Sequence, residues 1–321
     1  MGIGWGILST ARIGAALVGG ARATDAAEIV AVASRSEASA QAFAGAHGIP
    51  RAHGSYDALL ADPDVQAVYV PLPNGMHVDW AVRALQAGKH VLCEKPLDRR
   101  VARVEHAFDV AERAGLVLSE AFMWRHSPQT KRLRALVDEG MIGDVRLVRA
   151  SFSFLLAGDA DVRLDAALDG GALMDVGCYC VSGTRLVAGE PVAVSAQAVT
   201  SGVDLRLTGL LRFEGDVLAT IDCGLDVGGR HELEVAGTGG RLVLADPWHG
   251  RDPRIVVERG GEREIVEVAA ANSYALELED VSEAIEHGRE PLLGRADAVG
   301  QARTIEALYR AAAEGREVQV R

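Results

Sequence analysis

The sequence predicts an α/β chain in two parts: a doubly wound parallel sheet, followed by an α/β domain with a large, open, mainly antiparallel sheet. Three observations carry this. From Ile3 to Glu120, short β-branched runs alternate with helical stretches, the mark of strand–helix–strand units. From Asp144 to Val268, strand patterns follow one another across polar turns such as Glu214-Gly215-Asp216 and Gly260-Gly261-Glu262, as in antiparallel sheets. The length, 321 residues, suits two domains at roughly 150 residues each.

In chain order, the first part carries strand patterns at 3–8, 28–34, 66–72, 89–93 and 116–120. Apolar residues at helical spacing place helices at Arg12–Ala21, Glu37–His47 and Val78–Ala87, the last two stopped by Gly48 and Gly88. A helix over Gln129–Glu139 precedes a long strand over Asp144–Phe154 and a helix near 172–188. Strands then follow at 192–200, 204–213, 217–223, 231–236, 241–244, 254–258 and 263–268, and helices at 275–287 and 297–314 close the chain. No repeat, low-complexity segment or flexible linker interrupts this, so the expected domains are 1–121 and 122–321.

Composition narrows the function. With 33 basic and 45 acidic residues the net charge is −12, which repels nucleic acid, and no Lys/Arg stripe offsets it. No long unbroken apolar run predicts a membrane span. The chain enters its first strand at once, without a leader pattern, so a cytoplasmic protein is expected. Cys93, Cys178, Cys180 and Cys223 form no Cys-x-x-Cys pair and read as free buried thiols. No metal site is expected, since His77 and His90 lack ligand spacing.

After the first strand, Ser9-Thr10-Ala11-Arg12-Ile13-Gly14 opens a helix with small residues at Ser9, Ala11 and Gly14. This is a degenerate Gly-x-Gly-x-x-Gly loop, where small residues let the backbone approach a pyrophosphate at a helix N-terminus. At the end of the second strand, NAD enzymes place a carboxylate on the ribose 2′-hydroxyl. This chain has Ser34-Arg35, a donor and a guanidinium suited to a 2′-phosphate, so NADP is the expected cofactor, with NAD possible because Glu37 is close by. Two further segments end parallel strands on the side where ligands bind in such sheets: Pro71-Leu72-Pro73-Asn74-Gly75-Met76-His77 and Glu94-Lys95-Pro96. Pro71, Leu72, Asn74, His77, Glu94 and Lys95 are therefore candidate cofactor residues.

Taken together, Pro71-Leu72-Pro73-Asn74-x-x-His77, Ala87-Gly88-Lys89-His90-Val91-Leu92-Cys93-Glu94-Lys95-Pro96 and Gly170-Gly171-Ala172-Leu173-Met174-Asp175-Val176-Gly177-Cys178-Tyr179 resemble the Gfo/Idh/MocA family. The branch of glucose–fructose oxidoreductase and dimeric dihydrodiol dehydrogenase is the more similar one. Many members carry histidine where Tyr179 stands; the tyrosine here resembles this branch, and Trp5-Gly6-Ile7-Leu8-Ser9 leans the same way. The resemblance implies a Rossmann domain, a second domain with an open sheet, and hydride transfer between nicotinamide C4 and a carbinol carbon of a sugar or diol in the cleft between domains. It implies Lys95, Asp175 and Tyr179 as catalytic residues, and an exposed sheet face that makes a homodimer or homotetramer.

The chemistry of these residue types agrees. Residues four apart on a helix share a face, so Asp175 and Tyr179 point the same way. Oxidising an alcohol requires loss of its hydroxyl proton, which Tyr179 can relay when an ammonium such as that of Lys95 favours its phenolate. Asp175 either orients substrate hydroxyls or holds Lys95. Around 120–128, Trp124 and Arg125 are candidate substrate contacts in an aromatic, hydrogen-bonding segment, and the family resemblance implies an aromatic near the nicotinamide at Tyr274. Loops near 123–128, 155–170 and 246–252 are expected to set specificity. Two other readings stand beside this one: a dinucleotide-binding sensor without turnover, and a glycosidase that uses NAD transiently.

Overall fold

The computed structural model describes residues 2–158 and 161–320. By its internal contacts the chain forms two compact units, Met1–Met123 with Asn272–Val299, and Trp124–Ala271 with Gly300–Arg321.

The first unit is built on a six-stranded parallel sheet: β1 (Ile3–Leu8), β2 (Ala27–Ala33), β3 (Arg51–His53), β4 (Ala67–Val70), β5 (His90–Glu94) and β6 (Leu118–Ala121). The order is β3-β2-β1-β4-β5-β6, so the sheet is doubly wound from β1 outwards. Every residue of β1 is buried, as a central strand covered on both faces requires. Helices α1 (Gly14–Ala21), α2 (Glu37–His47), α3 (Tyr56–Leu60), α4 (His77–Gln86) and α5 (Val101–Ala114) connect the strands. The sequence reading did not single out β3, whose three half-buried residues are too few for periodicity to register.

That reading also put every residue from 122 onward into the second part, whereas Asn272–Val299 packs with the first unit. Helix α8 (Ser273–His287) buries Leu278 and Val281 in the same core as Trp5, Leu17 and Tyr69. Gly20 permits this: a Cβ there would stand 2.8 Å from Cβ of Tyr274.

The second unit holds a nine-stranded sheet: β7 (Val145–Leu155), β8 (Pro191–Ser201), β9 (Val203–Phe213), β10 (Leu218–Gly224), β11 (Asp226–Gly237), β12 (Arg241–Leu244), β13 (Ile255–Arg259), β14 (Glu262–Val266) and β15 (Val318–Gln319). Its order is β14-β13-β12-β11-β7-β10-β9-β8-β15, antiparallel except where β10 runs parallel to β7. Alternate burial along β9 shows one covered face and one open face. Helices α6 (Pro128–Asp138) and α7 (Cys178–Ala188) lie in this unit, and α9 (Arg295–Glu314) spans the boundary at 299/300. No helix among the described residues is long and apolar enough to cross a membrane.

Candidate active site

In the first unit, Ser9 ties two predicted cofactor segments together. Its hydroxyl donates to the Pro71 carbonyl at 3.0 Å and accepts the Ala11 N–H at 3.1 Å. Helix α1 has no side-chain cap, and no acceptor among the described residues takes the N–H of Arg12 or Ile13. Free amides at an uncapped helix start fit a pyrophosphate. Thr10 and Ala11 beside them are half-buried. Just past β2, the Ser34 N–H is held by the His53 carbonyl at 3.0 Å. Arg35 is exposed and makes no ion pair among the described residues, while Glu37 is engaged by Gln41 at 3.1 Å. The guanidinium is thus open to a 2′-phosphate, and the nearby carboxylate is occupied.

His77, a predicted cofactor contact, is 1% exposed. Its Nδ1 lies 2.8 Å from the Pro96 carbonyl and its Nε2 2.7 Å from that of Leu72. It therefore clips the Pro-Leu-Pro-Asn turn to the Glu-Lys-Pro loop, and Asn74 starts a short 3-10 turn between them. Behind Lys95 lies a cluster that sequence reasoning missed. The Tyr69 hydroxyl donates to Glu94 Oε1, and Glu94 Oε2 accepts the Lys95 N–H at 3.3 Å. Glu277, from α8, is 1% exposed, and its Oε1 has no hydrogen-bond partner among the described residues. Burial first, then the charges of Glu94 and Asp280, push its pKa well above the ordinary 4.5. Burial and then Glu94 likewise raise that of Tyr274, in the first turn of the same helix. Only the distance of residues 94 and 277 in sequence hid this pair.

Glu277 accordingly keeps its proton to a higher pH in the folded protein than in the unfolded chain. An acid whose folded pKa is raised contributes stability that is present below its unfolded value near 4.5 and is lost as pH rises toward the folded value. Glu277→Gln keeps the neutral shape and removes that loss. Relative to wild type, the variant should gain stability as pH rises above that point, by at most about 1.4 kcal/mol per pH unit, until pH passes the folded value. Urea unfolding at mildly acid and mildly alkaline pH checks this; a gap that does not widen with pH contradicts a raised Glu277 pKa.

In the second unit, Asp175 and Tyr179 follow the Gly170-Gly171 turn. Gly171 has φ of +125°, and a Cβ there would fall 2.1 Å from Asp204 Oδ1. Asp204 in turn accepts the Leu173 N–H at 2.7 Å and the Tyr309 hydroxyl at 2.9 Å, which anchors the helix start. The sequence predicts one α-helix over 172–188, but Leu173–Gly177 is a π-helical turn ahead of α7. Such wide turns are frequent at functional sites because they re-aim side chains. Asp175, half-buried, accepts a 2.7 Å ion pair from Arg163 Nε, and Arg163 also pairs with Asp161 at 3.2 Å. Although burial works against it, the two carboxylates raise the Arg163 pKa. No motif marks Arg163, so this partner of Asp175 was invisible in sequence. The Tyr179 ring packs against Phe152 at 5.3 Å and Trp248 at 6.0 Å.

Trp124, expected to line the substrate, is 1% exposed and meets Trp248 edge-on at 5.1 Å. Arg125 is half-buried, with Nη1 donating to Ser182 Oγ at 3.3 Å. In the 155–170 specificity segment, residues 159 and 160 lie outside the described residues. The 246–252 segment brings His249 and Asp246 beside His231, three ligand-type side chains that the sequence reading did not connect.

Residues 3–122 match the family described as oxidoreductase family, NAD-binding Rossmann fold, and residues 130–243 match the GFO/IDH/MocA C-terminal domain. The chain is 41% identical to D-xylose 1-dehydrogenase (NADP(+)) 2 of Haloferax volcanii, over 98% of this chain and 99% of that protein. It is 35% identical to human trans-1,2-dihydrobenzene-1,2-diol dehydrogenase over 82% and 80% of the two chains. Among solved structures, a 3-ketoreductase from Actinomadura kijaniata in complex with NADP and TDP-benzene superposes with a TM-score of 0.92 at 32% identity, covering 97% of this chain and 98% of that one. Aldose-aldose oxidoreductase from Caulobacter crescentus gives 0.93 at 30% identity, covering 99% and 100%. With its parallel dinucleotide-binding sheet, its nine-stranded partner and both halves matched, the chain belongs to the Gfo/Idh/MocA family of oxidoreductases.

Proposed function

We propose that this protein is an NADP(H)-dependent oxidoreductase that moves a hydride between nicotinamide C4 and the carbinol or carbonyl carbon of a sugar, sugar derivative or diol. The observation that carries the reading is 41% identity, over nearly the whole of both chains, to an NADP-linked D-xylose dehydrogenase. The unpaired Arg35 and the absence of a carboxylate at the end of β2 agree with it.

When bound, the nicotinamide supplies or accepts the hydride. Ser9, Thr10, Ala11, Arg12 and Ile13 would form the loop under the pyrophosphate, with the N–H groups of Arg12 and Ile13 donating to it, and Ser34 and Arg35 would hold the 2′-phosphate. Pro71, Leu72, Asn74, His77 and Glu94 shape the remaining cofactor wall. Tyr179 takes the hydroxyl proton during oxidation and returns it during reduction. Lys95 supplies the positive charge that favours the deprotonated oxygen. Asp175, held by Arg163, orients substrate hydroxyls, and Arg125 contributes a donor to the substrate. Trp124 acts from behind, through Trp248. The protein works in the cytoplasm as a homodimer or homotetramer. Its subunits meet on the open sheet face, where Leu147, Leu155, Val199, Leu210 and Leu218 are exposed.

Calorimetric titration with NADPH and NADH tests the cofactor assignment. NADPH should bind at least about tenfold tighter, and Arg35→Ala should remove about 1.4 kcal/mol or more of that preference while leaving NADH affinity unchanged. Equal affinity for the two cofactors in the wild-type protein would overturn the assignment and move NAD-linked readings ahead.

A further inference from the structure

The second unit contains a set of side chains that the proposed hydride transfer does not use. His231 lies on β11, opposite Phe152 of β7 in the sheet register. Asp246 and His249 lie one helical step apart in the tight turn Asp246-Pro247-Trp248-His249. This turn is pinned from within: Trp248 is fully buried and its Nε1 donates to the Ser151 carbonyl at 2.9 Å. The Asp246 carbonyl accepts the Gly250 N–H at 3.1 Å, and its Oδ2 accepts the Arg251 N–H at 3.3 Å.

The pinned turn presents His249 to His231, their ring centroids 5.2 Å apart, with His249 Nδ1 at 3.2 Å from Asp246 Oδ1. One ligand atom from each of His231, Asp246 and His249 falls within 4.8 Å of the others. Ligands of a tetrahedral zinc-like ion stand about 3.3 Å apart, so side-chain rotation of about an ångström closes the set. A second observation points the same way. His231 Nδ1 is buried and has no hydrogen-bond partner among the described residues, a condition proteins rarely leave uncorrected.

We propose that His231, Asp246 and His249 bind a divalent first-row transition cation of the zinc or cobalt type. Two imidazoles and one carboxylate suit such an ion rather than magnesium or calcium, which prefer oxygen ligands throughout. His249 is partly exposed, which gives the ion a path in, and three protein ligands leave a fourth position for water. The site adjoins Phe152, whose ring lies 4.8 Å from His231, 5.4 Å from His249 and 5.3 Å from Tyr179. The ion thus tethers the 246–250 turn to β11 and stiffens the aromatic floor beneath Tyr179.

The test uses the full chain, stripped with a chelator and titrated with cobalt(II) alone, following visible d–d absorption and calorimetry. Wild type should take up one ion per chain with tetrahedral-type bands and a raised Tm. His249→Ala and Asp246→Asn should each weaken binding at least about tenfold. His287→Ala, at an exposed helix end, should bind as wild type does. His249 is at the surface, so its variant stays folded and remains informative even where His231→Ala does not. Absence of stoichiometric uptake, or uptake that His249→Ala and Asp246→Asn leave unchanged, would overturn the site.

Discussion

Lys95→Ala should lower kcat about 10³-fold with little change in NADPH affinity, because the lost charge acts on the oxygen that changes protonation. Steady-state kinetics beside cofactor titration measure both. Lys95→Arg should recover little: a planar guanidinium spreads its charge over a fork and cannot replace a compact ammonium in a fitted site. The fold should survive, since what fixes the loop is its neighbours. Tyr69 grips Glu94, His77 spans Leu72 and Pro96, and the Leu97 N–H donates to Glu120 at 2.6 Å. A Lys95→Ala enzyme with near wild-type kcat would remove Lys95 from the chemistry.

Tyr179→Phe should lower kcat between about 10² and 10⁴-fold, the range for loss of a positioned proton donor. The ring stays, so packing against Phe152 and Trp248 is retained and Tm should move little. The paired readout matters: a fall in both kcat and Tm would mark a structural tyrosine, whereas a fall in kcat alone marks the acid/base group. Arg163 offers a related handle, since its removal would release Asp175 from a 2.7 Å ion pair without touching Tyr179.

Much of this was legible in the sequence because it rests on local signals. Hydrophobic alternation located β12 at Arg241–Leu244, and the glycine stop located α2 at Glu37–His47. Seven consecutive strand patterns foretold a large sheet whose pairs are almost all antiparallel. What escaped depends on contacts between distant residues. The packing of α8 against β1 follows from Leu278 and Val281 meeting Trp5, which no local pattern encodes. The π turn at 173–177 conserves the apolar rhythm of a helix, so periodicity alone could not separate the two. Trp124 sits in a polar, aromatic segment, and nothing in that segment encodes its edge-on contact with Trp248. The pairing of Asp175 with Arg163 and the meeting of His231 with His249 are likewise products of tertiary structure.

The most direct test of the account is turnover itself: purified protein mixed with NADP+ or NAD+ and a panel of aldoses and diols that includes D-xylose, with reduced nicotinamide followed by its near-ultraviolet absorbance. The account predicts that at least one aldose or diol gives net reduction of NADP+, and that NAD+ at equal concentration gives far less. Binding of NADP+ without reduction by any member of the panel would contradict it, and hydrolysis of a glycoside without net absorbance change would replace it with the transient-oxidation mechanism.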